Sequence, residues 1–120
     1  MKKLKIISRI AEVEFETIVS FTETIGEKLR VQFIDGSFVD AYFSQTIPGR
    51  FAFHWERRHL DGTIYRYDNY PDTNWQSVSS FPYHFHDGYQ DNVVSSPFPT
   101  EIIPAFCEFM NFVKKLLNKS

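Results

Sequence analysis

The sequence predicts an α+β fold: an antiparallel meander of about five strands packed by a C-terminal amphipathic helix. Three observations carry that prediction. Short runs rich in Phe, Val, Ile and Tyr are separated by Asp35-Gly36, Pro48-Gly49 and Asp61-Gly62, dipeptides that close turns. Apolar residues between Ile102 and Leu117 recur at three- and four-residue spacing, the period of a helix buried along one side. Thirteen Phe in 120 residues supply apolar bulk for a core, and a domain of this size buries roughly two-thirds of its unfolded surface. There is no repeat, linker or low-complexity segment, so residues 1–120 read as a single domain.

The first element is expected from Ala11 to Val19, where Ala11, Val13, Phe15 and Thr17 alternate with Glu12, Glu14 and Glu16. Period two predicts a strand with one solvated face. Thr24-Ile25-Gly26-Glu27 reads as a turn, and Leu29 to Ile34 as the second strand. Asp35-Gly36 signals a hairpin leading into a third strand, Phe38 to Phe43. The fourth strand spans Phe51 to Arg58 and the fifth Ile64 to Asn69, joined through Asp61-Gly62. Asn69 to Ser80 is a polar loop long enough to suggest function or mobility. Phe81 to His86 is a short extended piece, and Asp87 to Pro99 is loop again. In the closing helix Ile102, Phe106, Phe109, Val113 and Leu116 form the apolar stripe that packs on the sheet. Thr100 is placed to cap it, Glu101 suits its positive end, and Lys114, Lys115 and Lys119 suit the negative one. Pro104 is tolerated because it falls in the first turn.

Composition narrows the function classes. A net charge of −2 argues against strong non-specific binding to duplex nucleic acid, although Arg50, Arg57, Arg58 and Arg66 cluster in mid-chain. The single Cys107 excludes an intramolecular disulfide and reads as an inert buried thiol, which fits a reducing cytoplasm. The basic stretch Met1 to Ile10 is followed by acids rather than an apolar segment, so no signal peptide is expected. No apolar run is long enough to span a membrane. P-loop, Rossmann and zinc-finger patterns are missing, and no serine sits in a G-x-S-x-G elbow.

The chemistry concentrates in Arg66-Tyr67-Asp68-Asn69 and Phe81-Pro82-Tyr83-His84-Phe85-His86. With a two-residue loop at Asp61-Gly62, Trp55 is expected opposite Asp68 and Arg57 opposite Arg66. Phe51, Phe53, Trp55, Arg57, Arg66 and Asp68 would then share the face that meets the helix. Arg66 and Asp68 read either as a structural pair at the rim of the core or as a pocket in which Arg66 holds an anion and Asp68 orients a neighbour. His84 and His86, two apart on an extended piece, point to one side. They read as solvated loop residues, as a general acid–base pair, or as metal ligands with Asp87 or Asp68. His54 and His59 are further candidates, His59 as a solvated residue at the turn. Tyr70, Trp75, Tyr83 and Tyr89 are loop aromatics able to stack on single-stranded bases or to anchor the loops.

On these residues the chain resembles the TumE-like toxin family of prokaryotic toxin–antitoxin pairs. The resemblance runs from Phe33-Ile34-Asp35-Gly36-Ser37 through Tyr42-Phe43, Phe53-His54-Trp55, Asp61-Gly62 and Tyr65 to Asn69. It continues through Phe81 to His86 and ends at Ser95-Ser96-Pro97, covering roughly residues 27 to 117. Two departures stand out. Family members often begin with a helix, where a strand is expected here, and the loop from Tyr70 to Ser80 lacks histidines that many relatives carry. The resemblance implies a small cytoplasmic protein with a cognate antitoxin as partner, and the lack of a long apolar run adds the expectation of no membrane association.

The residues themselves add a reading as a metal-independent ribonuclease. His84 and His86 would act as acid and base, Arg66 would stabilise the phosphorane charge, and Asp68 would orient one imidazole. Arg57, Tyr67, Asn69, Trp75 and Tyr83 are the candidate nucleic-acid or ligand contacts, with no metal and no cofactor expected. The alternative is a non-catalytic module that holds RNA or a protein by sequestration. A homodimer is a further expectation, because an open meander has two edges that can pair.

Overall fold

The computed structural model describes residues 2–119. Seven strands form one antiparallel sheet in simple sequence order: β1 (Val19–Ile25), β2 (Lys28–Phe33), β3 (Phe38–Phe43), β4 (Phe51–Arg57), β5 (Thr63–Asp68), β6 (His84–Gly88) and β7 (Val93–Ser95). Helix α1 (Lys2–Glu14) precedes them, α2 (Arg58–Asp61) is a single turn between β4 and β5, and α3 (Ile102–Leu117) closes the chain. The α+β class, the antiparallel meander and the terminal helix are as expected. The sheet has seven strands rather than about five.

The N-terminus corrects the expected first strand. Leu4, Ile7 and Ala11 are spaced by three and four and are all buried, while Val13 is 57% exposed. The helical period therefore wins over the alternation with Glu12, Glu14 and Glu16, and a helix precedes the first strand of the described residues. Strand β1 follows it and is largely exposed at the sheet edge. An edge strand without a buried face shows no alternation to read. Strand β7 has three residues, too few for any period to show.

The β2–β3 hairpin forms as expected. Phe33 N donates to Ser37 O at 2.9 Å, and Gly36 takes the left-handed conformation (φ 91°) that the turn requires. The β4–β5 connection differs. Arg57 pairs with Thr63, and between them α2 (Arg58–Asp61) is ended by Gly62 at φ 80°. Local side chains hold this turn: Arg57 Nε donates to Asp61 Oδ2, Arg58 N to Glu56 Oε2, and Thr63 N to Asp61 Oδ1. Asp68 consequently lies opposite Ala52, three residues from the expected Trp55. A shift by an odd number moves side chains to the other face.

Both long helices cover one side of the sheet. Leu4, Ile7 and Ala11 of α1 and Phe106, Phe109, Met110 and Val113 of α3 join Leu29, Val31, Val39, Phe51, Phe53, Trp55 and Tyr67 in one core. Trp55 Nε1 donates to Ser37 Oγ at 2.9 Å, which satisfies the indole within it. The first residue before α3 is Glu101, with no side-chain cap from Thr100, and Lys114 and Lys115 fall in its last turn as expected. Cys107 is half-buried rather than fully buried, and burial pushes its thiol pKa up, which keeps it protonated. No described helix is long and apolar enough to cross a membrane. Neither α1 nor α3 lies against the second face of the sheet, where Lys28, Arg30, Asp40, His54, Arg66, Asp68, His84 and His86 stand in register.

Candidate functional site

Three cross-strand pairs create the site. Strand β5 presents Arg66 and Asp68 on the open face, correcting the expectation that they face the helices. In the β5–β6 ladder Asp68 pairs with His84 and Arg66 with His86. In the β4–β5 ladder Arg66 pairs with His54. Directly opposed residues share a face, so three imidazoles, a guanidinium and a carboxylate converge.

Asp68 is the hub, with 2% of its surface exposed. Its Oδ2 accepts from Arg66 Nε at 2.7 Å, and its Oδ1 accepts from Tyr70 N at 3.0 Å. His84 Nε2 lies 3.0 Å from Oδ1, and His86 Nε2 3.8 Å from Oδ2. On the far side of each ring stands a backbone carbonyl: Pro82 O is 3.0 Å from His84 Nδ1, and Gln90 O is 2.7 Å from His86 Nδ1. A carbonyl only accepts, so each Nδ1 carries a proton.

The two rings then differ. Both nitrogens of His84 lie beside oxygen atoms, Pro82 O at 3.0 Å and Asp68 Oδ1 at 3.0 Å, whereas Nε2 of His86 lies 3.8 Å from Asp68 Oδ2. Burial, the largest influence, pushes His86 below the usual histidine range, and His84 and Arg66 push the same way against Gln90 and Asp68. His86 is therefore neutral near pH 7, with a lone pair on Nε2. The ring centroids are 5.3 Å apart. One ring is suited to give a proton and the other to take one.

The surroundings form a cleft of about 250 Å³. Trp75 comes from a short 3-10 turn, Thr73–Trp75, and sets its ring edgewise to His86 at 6.4 Å. Asp72 anchors that turn by accepting from Asn74 N at 2.9 Å. His54 donates from Nε2 to Glu56 Oε1 at 3.1 Å, while its buried Nδ1 has no partner. Burial lowers the His54 pKa, and hydrogen bonds from Arg58 hold Glu56 down at about 2.

Asp68, His84 and His86 each offer one ligand atom, all within 4.8 Å of one another. With both Nδ1–H groups tied to carbonyls, the two Nε2 atoms and the carboxylate could also hold a divalent cation.

Of the expected contact residues, only Trp75 lines this cleft. Arg57 lies on the helical side, paired with Asp35 at 2.6 Å and Asp61 at 3.1 Å. Tyr67 is fully buried, its hydroxyl donates to Pro99 O at 2.8 Å, and burial pushes its phenol up to about 12. Tyr83 packs on Phe51 and Tyr67. Asn69 accepts from Phe51 N and donates to Gly49 O, tying down the loop before β4. His59 is exposed, with Nε2 2.9 Å from Gly36 O. The backbone N–H of Tyr70 on Asp68 was not anticipated, yet an Asp accepting from the N–H two residues on is a local turn pattern that the sequence allows.

A family model described as Toxin TumE matches residues 3–117. No curated protein and no solved structure matches the chain.

Proposed function

The chain belongs to the TumE toxin family, and from that premise we propose that it is the toxin of a type II toxin–antitoxin pair and cleaves RNA without a metal ion. The observation that supports this reading is the pair of unlike imidazoles around Asp68, with Arg66 beside them. His86 Nε2 takes the proton of a ribose 2′-hydroxyl, and the 2′-oxygen attacks the adjacent phosphorus. The bond to the 5′-oxygen breaks, and His84 Nε2 delivers its proton to that leaving oxygen. The leaving oxygen must replace Asp68 Oδ1 as the partner of that proton. Products are a 2′,3′-cyclic phosphate and a 5′-hydroxyl. Arg66 neutralises charge on the phosphorane, and Asp68 holds His84 in place. The family relationship points to a cognate antitoxin as the partner that silences this activity.

The test is turnover of a synthetic RNA in excess over purified protein, with and without a chelator. Multiple turnovers are expected, unaffected by chelation, and His84→Ala or His86→Ala should each cost about 10²–10⁴-fold. Binding that saturates one-to-one without cleavage would favour sequestration. Loss of turnover on chelation would overturn the acid–base assignment and make Asp68, His84 and His86 ligands instead.

A further inference from the structure

We propose that the open face of the sheet next to the cleft is a track for single-stranded RNA, running from β2 across to the histidines; the proposal rests on the ribonuclease reading and supplies its substrate class. The strand register lays two rows of side chains across that face. One row is Lys28, Tyr42, Ala52, Asp68 and His84, and the other is Arg30, Asp40, His54, Arg66 and His86. Each row crosses four inter-strand steps, about 19 Å at the usual strand spacing. That length accommodates several nucleotides on one side of the scissile phosphate.

The surface along these rows is a trough of about 520 Å³, and the catalytic cleft of about 250 Å³ adjoins it. His54, Arg66 and Tyr70 line both, so the trough leads to the reacting groups. Ala52, 3% exposed, forms its floor between Tyr42 and Asp68, and its single methyl leaves the depression open. Phe38, Tyr42 and Tyr70 are half-buried aromatics on this face, none of them part of the hydrophobic core. Cations sit on two of these rings: Arg30 lies 4.1 Å from the Phe38 centroid, and Arg50 lies 4.9 Å from that of Tyr70. Rings able to stack on bases are what a single strand requires.

The charges narrow the choice further. Asp40 already pairs with Lys28 and Arg30, and Glu56 with Arg58. The track therefore attracts through ring faces more than through unbalanced charge, and its affinity should depend only weakly on salt. A duplex keeps its bases inside and has nothing to place on Phe38, Tyr42 or Tyr70.

The experiment uses full-length protein silenced by His84→Ala/His86→Ala and a fluorescein-labelled RNA oligonucleotide, alone or annealed to its complement. Anisotropy should show the single strand bound well above the duplex. Adding Tyr42→Ala and Tyr70→Ala should weaken binding by about tenfold per ring, and Tyr42→Phe/Tyr70→Phe should restore it. Photo-crosslinking with 4-thiouridine RNA, which needs no tyrosine variant to fold, should label Tyr42 or Tyr70. Equal binding of duplex, unchanged binding by the alanine variants, or crosslinks confined to α1 and α3 would overturn the track. Single-strand binding with these crosslinks, but no turnover by the parent protein, would uphold the track and sink the ribonuclease reading. Turnover that ignores Tyr42 and Tyr70 would do the reverse.

Discussion

The two faces of the sheet are made by the same strands and follow opposite rules. On β4, Phe51, Phe53 and Trp55 enter the helical core while Ala52, His54 and Glu56 face outward. On β5, Tyr67 is core while Arg66 and Asp68 are site, and on β6, Phe85 is core between His84 and His86. The helical face is a continuous aromatic assembly, with Phe53 ringed by Phe51, Phe106 and Phe109 at 4.9–5.9 Å. The open face is a chain of directed polar contacts that leaves His54 Nδ1 without a partner. Apolar packing without direction tolerates many sequences, whereas hydrogen-bonded charge requires particular atoms at particular positions. One face holds the fold together, and the other carries the directed polar cluster around Asp68.

The contrast breaks most visibly at Phe53. Phe53→Ala opens a cavity in the core and should lower stability by about 3–5 kcal/mol. Urea unfolding would report it, and any loss of toxicity should track the loss of folded protein. His86→Ala removes one hydrogen bond to Gln90 O and should move the same urea midpoint far less. If His86→Ala unfolds the protein as Phe53→Ala does, the faces do not divide their work in this way.

A smaller effect is expected at Ser37, the polar residue inside the helical face. Ser37→Ala strands the Trp55 indole N–H in the core and should cost about 1–3 kcal/mol, again read from urea unfolding. A cost near zero would mean that the indole finds another acceptor.

The smallest effect should come from acid. Burial lowers the pKa of both His54 and His86 in the folded chain. Below about pH 6.5 the unfolded chain takes up protons that the folded rings refuse, so stability falls as pH falls. Thermal melts at about pH 7.5 and about pH 5.5 should show that slope, and His54→Gln/His86→Gln should flatten it. An unchanged slope in the double variant would place the acid sensitivity elsewhere.

Much of this was legible in the sequence. The turn dipeptides and alternating runs give the antiparallel order, and the spacing from Ile102 to Leu116 gives α3. Arg66, Asp68, His84 and His86 stand out because four groups able to bind or move protons fall within about twenty residues, and residues two apart on a strand share a side. These are local properties, set by the chemistry of neighbours along the chain. Helix α1 was obscured by an acidic alternation that fitted a strand as well, and β7 was too short to leave a period.

The tertiary structure alone decided which way the site faces. Asp61-Gly62 signals a turn in either case, but α2 lengthens the connection and shifts β5 by three residues against β4. That odd shift turns Arg66 and Asp68 away from the helices and toward His54, and β6 then brings His84 and His86 to the same carboxylate. Register is settled by the whole ladder and by the packing on each face, not by any short stretch of chain. The sequence therefore singled out these groups, and the fold determined that they meet beside a cleft on the open face instead of inside the helical core.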